Sequence, residues 1–179
     1  MKSVSVPLRR GAVVATALLG LALAGCSRAE PGVVAYVGDT AITQTQVDRA
    51  VAGVSSTVEE GQAVLPQAVV NALVAGELSA QIAADRTITI TDADRDKILQ
   101  GTNLASLVNV PDARPVAYDL ADQALVSQQL GEQGYLAEVG KRDVTLNPRF
   151  GVLDPATKMI NPDQSGSLSV PAGAPAGTP

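Results

Sequence analysis

Between Val47 and Val139 the apolar residues recur at the spacing of one helix face, and nearly all of them are Ala, Val, Leu or Ile. Val47, Ala50, Val51 and Val54 fall at i, i+3, i+4 and i+7, which places their side chains on one side of a 3.6-residue helix. Residues 66–85 carry a second set in Val69, Val70, Leu73, Val74, Leu78 and Ile82, backed by alanines. Val116, Leu120, Leu125, Val126 and Leu130 mark a third long helix, weakened at Gly131 and Gly134 and continued by Tyr135, Leu136 and Val139. The expected class is therefore mainly α. Only Tyr36, Tyr118, Tyr135 and Phe150 are aromatic. Small aliphatics bury less area each, so helices in loose layers and modest stability are expected.

The helix ends are signposted. Thr43 with Gln46 three residues on reads as a capping box, and Thr91 with Asp94 as another N-terminus. Pro66 and Pro115 suit a first helical turn, and Lys141 and Arg142 suit a last one. Ahead of the first helix, the β-prone runs 33–37 and 40–42 are separated by Gly38-Asp39, which predicts a tight hairpin with Gly38 at positive φ. Residues 144–146 form a short strand able to join it, followed by a turn at residues 147–149. Residues 86–90 read as an extended link. Residues 101–112 read as a linker with a weak apolar patch at Leu104, Leu107, Val108 and Val110.

The first 26 residues have a separate logic. Lys2, Arg9 and Arg10 precede an uncharged, largely apolar run at residues 12–24, which ends in Leu23-Ala24-Gly25-Cys26. The run is shorter than the ~20 residues of a spanning helix and fits the apolar core of a secretory signal. Leu-Ala-Gly-Cys matches the lipobox of bacterial lipoproteins. That resemblance implies cleavage after Gly25, lipidation of Cys26 and anchoring at the extracytoplasmic face of the cell membrane. An ordinary secretory signal would account for the apolar run but not for the chain's one cysteine standing at this position. The expected organisation is a signal peptide at 1–25, a tether at 26–32, a helical domain at 33–154, and a Pro/Gly/Ser-rich disordered tail at 155–179.

Several function classes are disfavoured. The chain has no His and one Cys, so Ser-His-Asp and Cys-His nucleophile pairs are excluded, as is an internal disulfide. Three of the 13 basic residues lie in the signal segment, leaving 10 against 18 acidic ones, a formal charge of −8. Such a surface is unsuited to nucleic acid and offers no polybasic grip on anionic lipid. Asp92, Asp94 and Asp96 alternate as in a calcium loop, but Lys97 stands where that loop needs Gly and Asn103 where it needs Glu. Acids in a first helical turn answer the helix dipole instead. No catalytic, cofactor or metal residues and no small-molecule substrate are expected.

Residues 34–43 (VAYVGDTAIT) resemble the opening V-A-x-V-N-G-x-x-I-T of the SurA N-terminal type of chaperone domain, found in peptidyl-prolyl isomerase-associated folding factors. Residues 70–85 followed by Ile88-Thr89-Ile90-Thr91-Asp92 resemble a second block of that family. Asn147-Pro148-Arg149-Phe150-Gly151 is similar to a C-terminal feature of its single-domain lipoprotein members. The resemblance covers residues 33–154 and implies a helical domain that cradles unfolded or partly folded exported polypeptides. Two-domain members add a parvulin module with active-site His residues. This chain has neither, so isomerase activity is not expected and the chain is expected not to be an enzyme. The alternative from another class is a non-catalytic module that docks one envelope partner on the same scaffold.

Overall fold

The computed structural model describes residues 31–161. Cys26, the signal segment and residues 162–179 lie outside the described residues. Strand β1 (Val33–Val37) turns through Gly38, whose φ is +57°, into β2 (Thr40–Thr43). Helices α1 (Gln44–Ser55), α2 (Pro66–Asp85), α3 (Asp92–Leu99), α4 (Arg114–Leu130) and α5 (Glu132–Gly140) follow, and β3 (Val144–Leu146) closes the order. The protein is mainly helical with one small antiparallel sheet, ordered β2-β1-β3, so the C-terminal strand does join the hairpin. Among the described residues no helix is long and apolar enough to cross a membrane.

Local chemistry accounts for these boundaries. At the start of α1 the Gln46 amide donates to Thr43 Oγ1 at 3.3 Å, and the Thr43 amide donates back to Gln46 Oε1 at 2.8 Å. Thr91 and Asp94 repeat the arrangement for α3 at 3.2 and 3.0 Å. Each box satisfies two backbone donors that a helix start leaves unpaired. The long helix expected through residue 139 is divided at Gly131. There φ is +71° and ψ 156°, a conformation glycine adopts without a Cβ clash, so α4 ends and α5 begins. Helix α2 ends with Thr87 at φ +55° and the Ile88 amide donating to the Ala83 carbonyl. The extended link therefore starts only at Ile88.

Helix α2 is the centre of the fold. Val70, Val74, Leu78 and Ile82 are at most 1% exposed and meet Val34 and Val37 of β1, Val47 of α1, Val126 of α4 and Val139 of α5. A register shift between Val33 and Ala35 turns both Val34 and Ala35 inward, as a bulge does. Gln81 Nε2 ties α2 to the sheet by donating to the Val37 carbonyl at 2.9 Å.

Two expectations need correction. Residues 101–112 are not a plain linker. Ala105–Asn109 is a 3-10 turn with Leu107 buried, packed with Leu99, Ala113, Ala117 and Ala121. Nor does the folded part stop at Asp154. Asp154 Oδ1 accepts the amides of Ala156 and Thr157 at 2.9 and 2.8 Å, Leu153 pairs with Ile160 across the turn, and Ile160 is 2% exposed. Asn71 of α2 grips the Ile160 backbone on both sides, donating to its carbonyl at 3.2 Å and accepting from its amide at 2.7 Å. One aliphatic side chain and one well-aimed amide fold back a segment whose Pro- and Gly-rich composition reads as disordered. The folded part reaches at least Asn161.

Candidate functional site

An open groove lies over the N-terminal halves of α2 and α4. Its floor is Val69 and Ala72 of α2 with Val116 and Leu120 of α4. Val54 at the end of α1, Val64 ahead of α2, and Leu104 and Leu107 beside the 3-10 turn form its walls, with Met159 at its edge. The volume is about 350 Å³, and no lining residue carries a charge. Its size follows from the side chains chosen. Ala68 and Ala72 stand on α2 where longer aliphatics would close the space. Mostly apolar concavities with few polar groups are the usual form of a binding site.

The helices around the groove are held by two devices. At Gly76 a Cβ would collide with the Asp119 side chain, and at Gly53 one would meet the Asp112–Ala113 peptide at 2.6 Å. Glycine at these two positions lets α4 approach both α2 and α1. The other device is polar. Arg95 of α3 donates to both carboxylate oxygens of Asp122 on α4, at 2.6 and 3.0 Å, and to Asp92 at 2.7 Å. Its guanidinium carbon also lies 5.4 Å from the Tyr118 ring centroid, within range of a cation–π attraction. Tyr118 Oη donates to Asp96 at 3.0 Å.

These contacts show where the alternating acids go. Asp92 pairs with Arg95, Asp94 caps Thr91, and Asp96 takes the Tyr118 hydroxyl. Hydrogen bonds from Thr91 hold the Asp94 carboxyl below its ordinary value. Among the described residues no three metal-ligating side chains come together. Cys26, the one site residue expected from the sequence, lies outside the described residues.

Asp119 was not legible as a special position. Desolvation between α2 and α4, with Asp122 and Glu77 adding like charge, pushes its carboxyl up to about 7 against the pull of Arg95. It opens onto a second hollow of about 240 Å³, which it shares with Glu77, Gln46 and Thr40. The one available signal was the pairing of a mid-helix glycine at 76 with two acids, 119 and 122, one turn apart on a helix with no other acid. That pattern has no meaning until the two helices are known to cross there.

On the far side of α2, Tyr135 Oη and Ser79 Oγ form a buried pair at 3.1 Å. Glu138 of α5 is bound by Lys141 at 2.8 Å and by Arg86. These hydrogen bonds lower the Glu138 carboxyl to about 2. The segment around Phe150 and Leu153 packs on the sheet and α2 core rather than in the groove.

Compared with protein-family models, curated proteins and solved structures, the chain finds no match.

Proposed function

We propose that this is a membrane-tethered, extracytoplasmic, chaperone-like lipoprotein that holds unfolded or partly folded exported polypeptides. The observation that carries the reading is the open, uncharged aliphatic groove beside α2 and α4. An unfolded chain presents aliphatic side chains to water, and covering them in such a groove is favourable by roughly 25 cal/mol per Å². The acidic balance of the chain keeps an exposed apolar surface soluble. The lipobox ending at Cys26 supports attachment where exported chains emerge, and two or more acyl chains are needed for a durable anchor.

The groove's modest volume, about 350 Å³, favours a second reading. It admits only a few side chains at once, which also suits one short segment of a fixed envelope partner. Aggregation assays separate the two. The Cys26→Ser chain should suppress aggregation of diluted, guanidinium-unfolded citrate synthase at near-stoichiometric ratio. No suppression at any ratio, with a single partner recovered by cross-linking in cells, would replace the chaperone reading with the docking one. Incorporation of radiolabelled palmitate by the native chain, and its loss in Cys26→Ser, tests the tether.

A further inference from the structure

The apolar groove does not end at Leu120. That side chain is also a wall of a further hollow of about 370 Å³, lined by Gln123, Ala124 and Ser127 of α4 and by Glu132, Tyr135 and Leu136 of α5. Val116, Leu120, Gln123, Ala124 and Ser127 fall at i, i+4, i+7, i+8 and i+11, so a single face of α4 serves both hollows. Their chemistry differs. No residue of the first carries a charge, whereas the second combines Leu136, 39% exposed, with an amide, a hydroxyl and the exposed carboxylate of Glu132. Among the described residues Glu132 forms no ion pair.

We propose that the two hollows form one bipartite trough along α4, which takes an extended segment with aliphatic side chains at i and i+2 and a lysine or arginine at i+4. This specifies the class of client and rests on the groove being the client site. Val116 and Ser127 lie about 16 Å apart along the helix axis, at about 1.5 Å per residue. An extended chain covers about 13 Å from i to i+4, and the stem of a lysine or arginine spans the remainder. Side chains two apart share one face of an extended chain, so all three anchors enter together. The aliphatic pair fills the uncharged end between Val69, Ala72, Val116 and Leu120, and the cation meets Glu132. Gln123 and Ser127 offer polar groups to the segment's backbone, whose N–H and C=O groups need partners once taken from water. A carboxylate at i+4 would instead face Glu132 as a like charge. An exposed ion pair contributes little, so the selection for a cation is a few-fold and weakens as salt is added.

Three peptides test this, each with neutral ends, an uncharged nitrobenzoxadiazole label and the sequence Leu-Ser-Leu-Ser followed by Lys, Gln or Glu. They are titrated by fluorescence polarisation with the full chain in non-ionic detergent micelles at low salt, with empty micelles as baseline. The lysine peptide should bind about threefold more tightly than the glutamine one and about tenfold more tightly than the glutamate one. The whole chain is acidic, so a general pull on cations has to be separated from Glu132. Glu132→Gln should bring the three affinities together. Asp48→Asn, an equal change of charge at an exposed position of α1, should leave the ranking as it was. Three equal affinities for the native chain, or a preference that survives Glu132→Gln, would overturn the trough and leave the apolar client site standing. So would the failure of every peptide to bind while citrate synthase aggregation is still suppressed. No peptide binding and no suppression together would end both readings.

Discussion

The two halves of α2 are packed by opposite means. Around its C-terminal half, Leu78 and Ile82 are at most 1% exposed, and sheet, α4 and α5 close over them. Around its N-terminal half, Val70 and Val74 still join that core, but Ala68, Val69 and Ala72 leave a hollow of about 350 Å³ beside it. The neighbouring α3 is fastened to α4 by the ion pair of Arg95 with Asp122 and by Leu99 packed on Ala117 and Ala121. The electrostatics also divide. Near the α5 end Glu138 is held ionised by two cations, whereas Asp119, on the smaller hollow at the crossing of α2 and α4, faces like charges and is driven toward its neutral form. A chain poor in aromatics can therefore still make one firm core if it concentrates its larger aliphatics there. The other end is then left underfilled and available.

That contrast can be broken from either side. The largest effect belongs to Leu78→Ala, which opens a cavity where nothing can collapse into it and should cost about 3–5 kcal/mol. Urea unfolding followed by circular dichroism measures it, and a loss below 1 kcal/mol would mean that the sealed half is not the core.

Next comes the pH response. The folded carboxyl of Asp119 titrates near 7 against an ordinary 3.8, so folding takes up a proton there. Its contribution is complete below 3.8 and is lost as pH rises to about 7. Asp119→Asn should remove that decline and raise stability at pH 8 by about 2–3 kcal/mol. Glu138 has the reverse sign. Its contribution is complete above 4.5 and lost as pH falls toward about 2, so Glu138→Gln should flatten only the acid limb. Parallel stability–pH curves for native and variant proteins would contradict both assignments.

A smaller effect is expected at the helix crossing. Gly76→Ala drives a methyl group into Asp119 and should cost about 2 kcal/mol, while Gly140→Ala, with nothing within 4 Å, should be nearly neutral. The smallest is Leu104→Ser on the groove wall. Stability should change by under about 1 kcal/mol, while aggregation suppression falls severalfold. A large stability loss here would mark Leu104 as core and the groove as incidental.

Much of the scaffold was legible because its signals are local. The Thr43–Gln46 and Thr91–Asp94 boxes, Pro66 and Pro115, and the Gly38 turn each act within four residues, and each appears where the sequence places it. The misreadings share one cause. Leu107 sits in a stretch that reads as linker and Ile160 in a Pro- and Gly-rich one, and each is buried by packing outside its own segment, Leu107 against α3 and α4 and Ile160 against Asn71 of α2. Composition averages over such single residues, so it called their surroundings linker and tail.

What the sequence determined alone was the helical class, the capped boundaries and the hairpin, all encoded in short-range periodicity or adjacent residues. Tertiary structure decided which aliphatics close into core and which line an open groove, since one helical stripe serves either end equally well. It also decided that Gly76 meets Asp119, because a helix crossing exists only once two distant segments have packed.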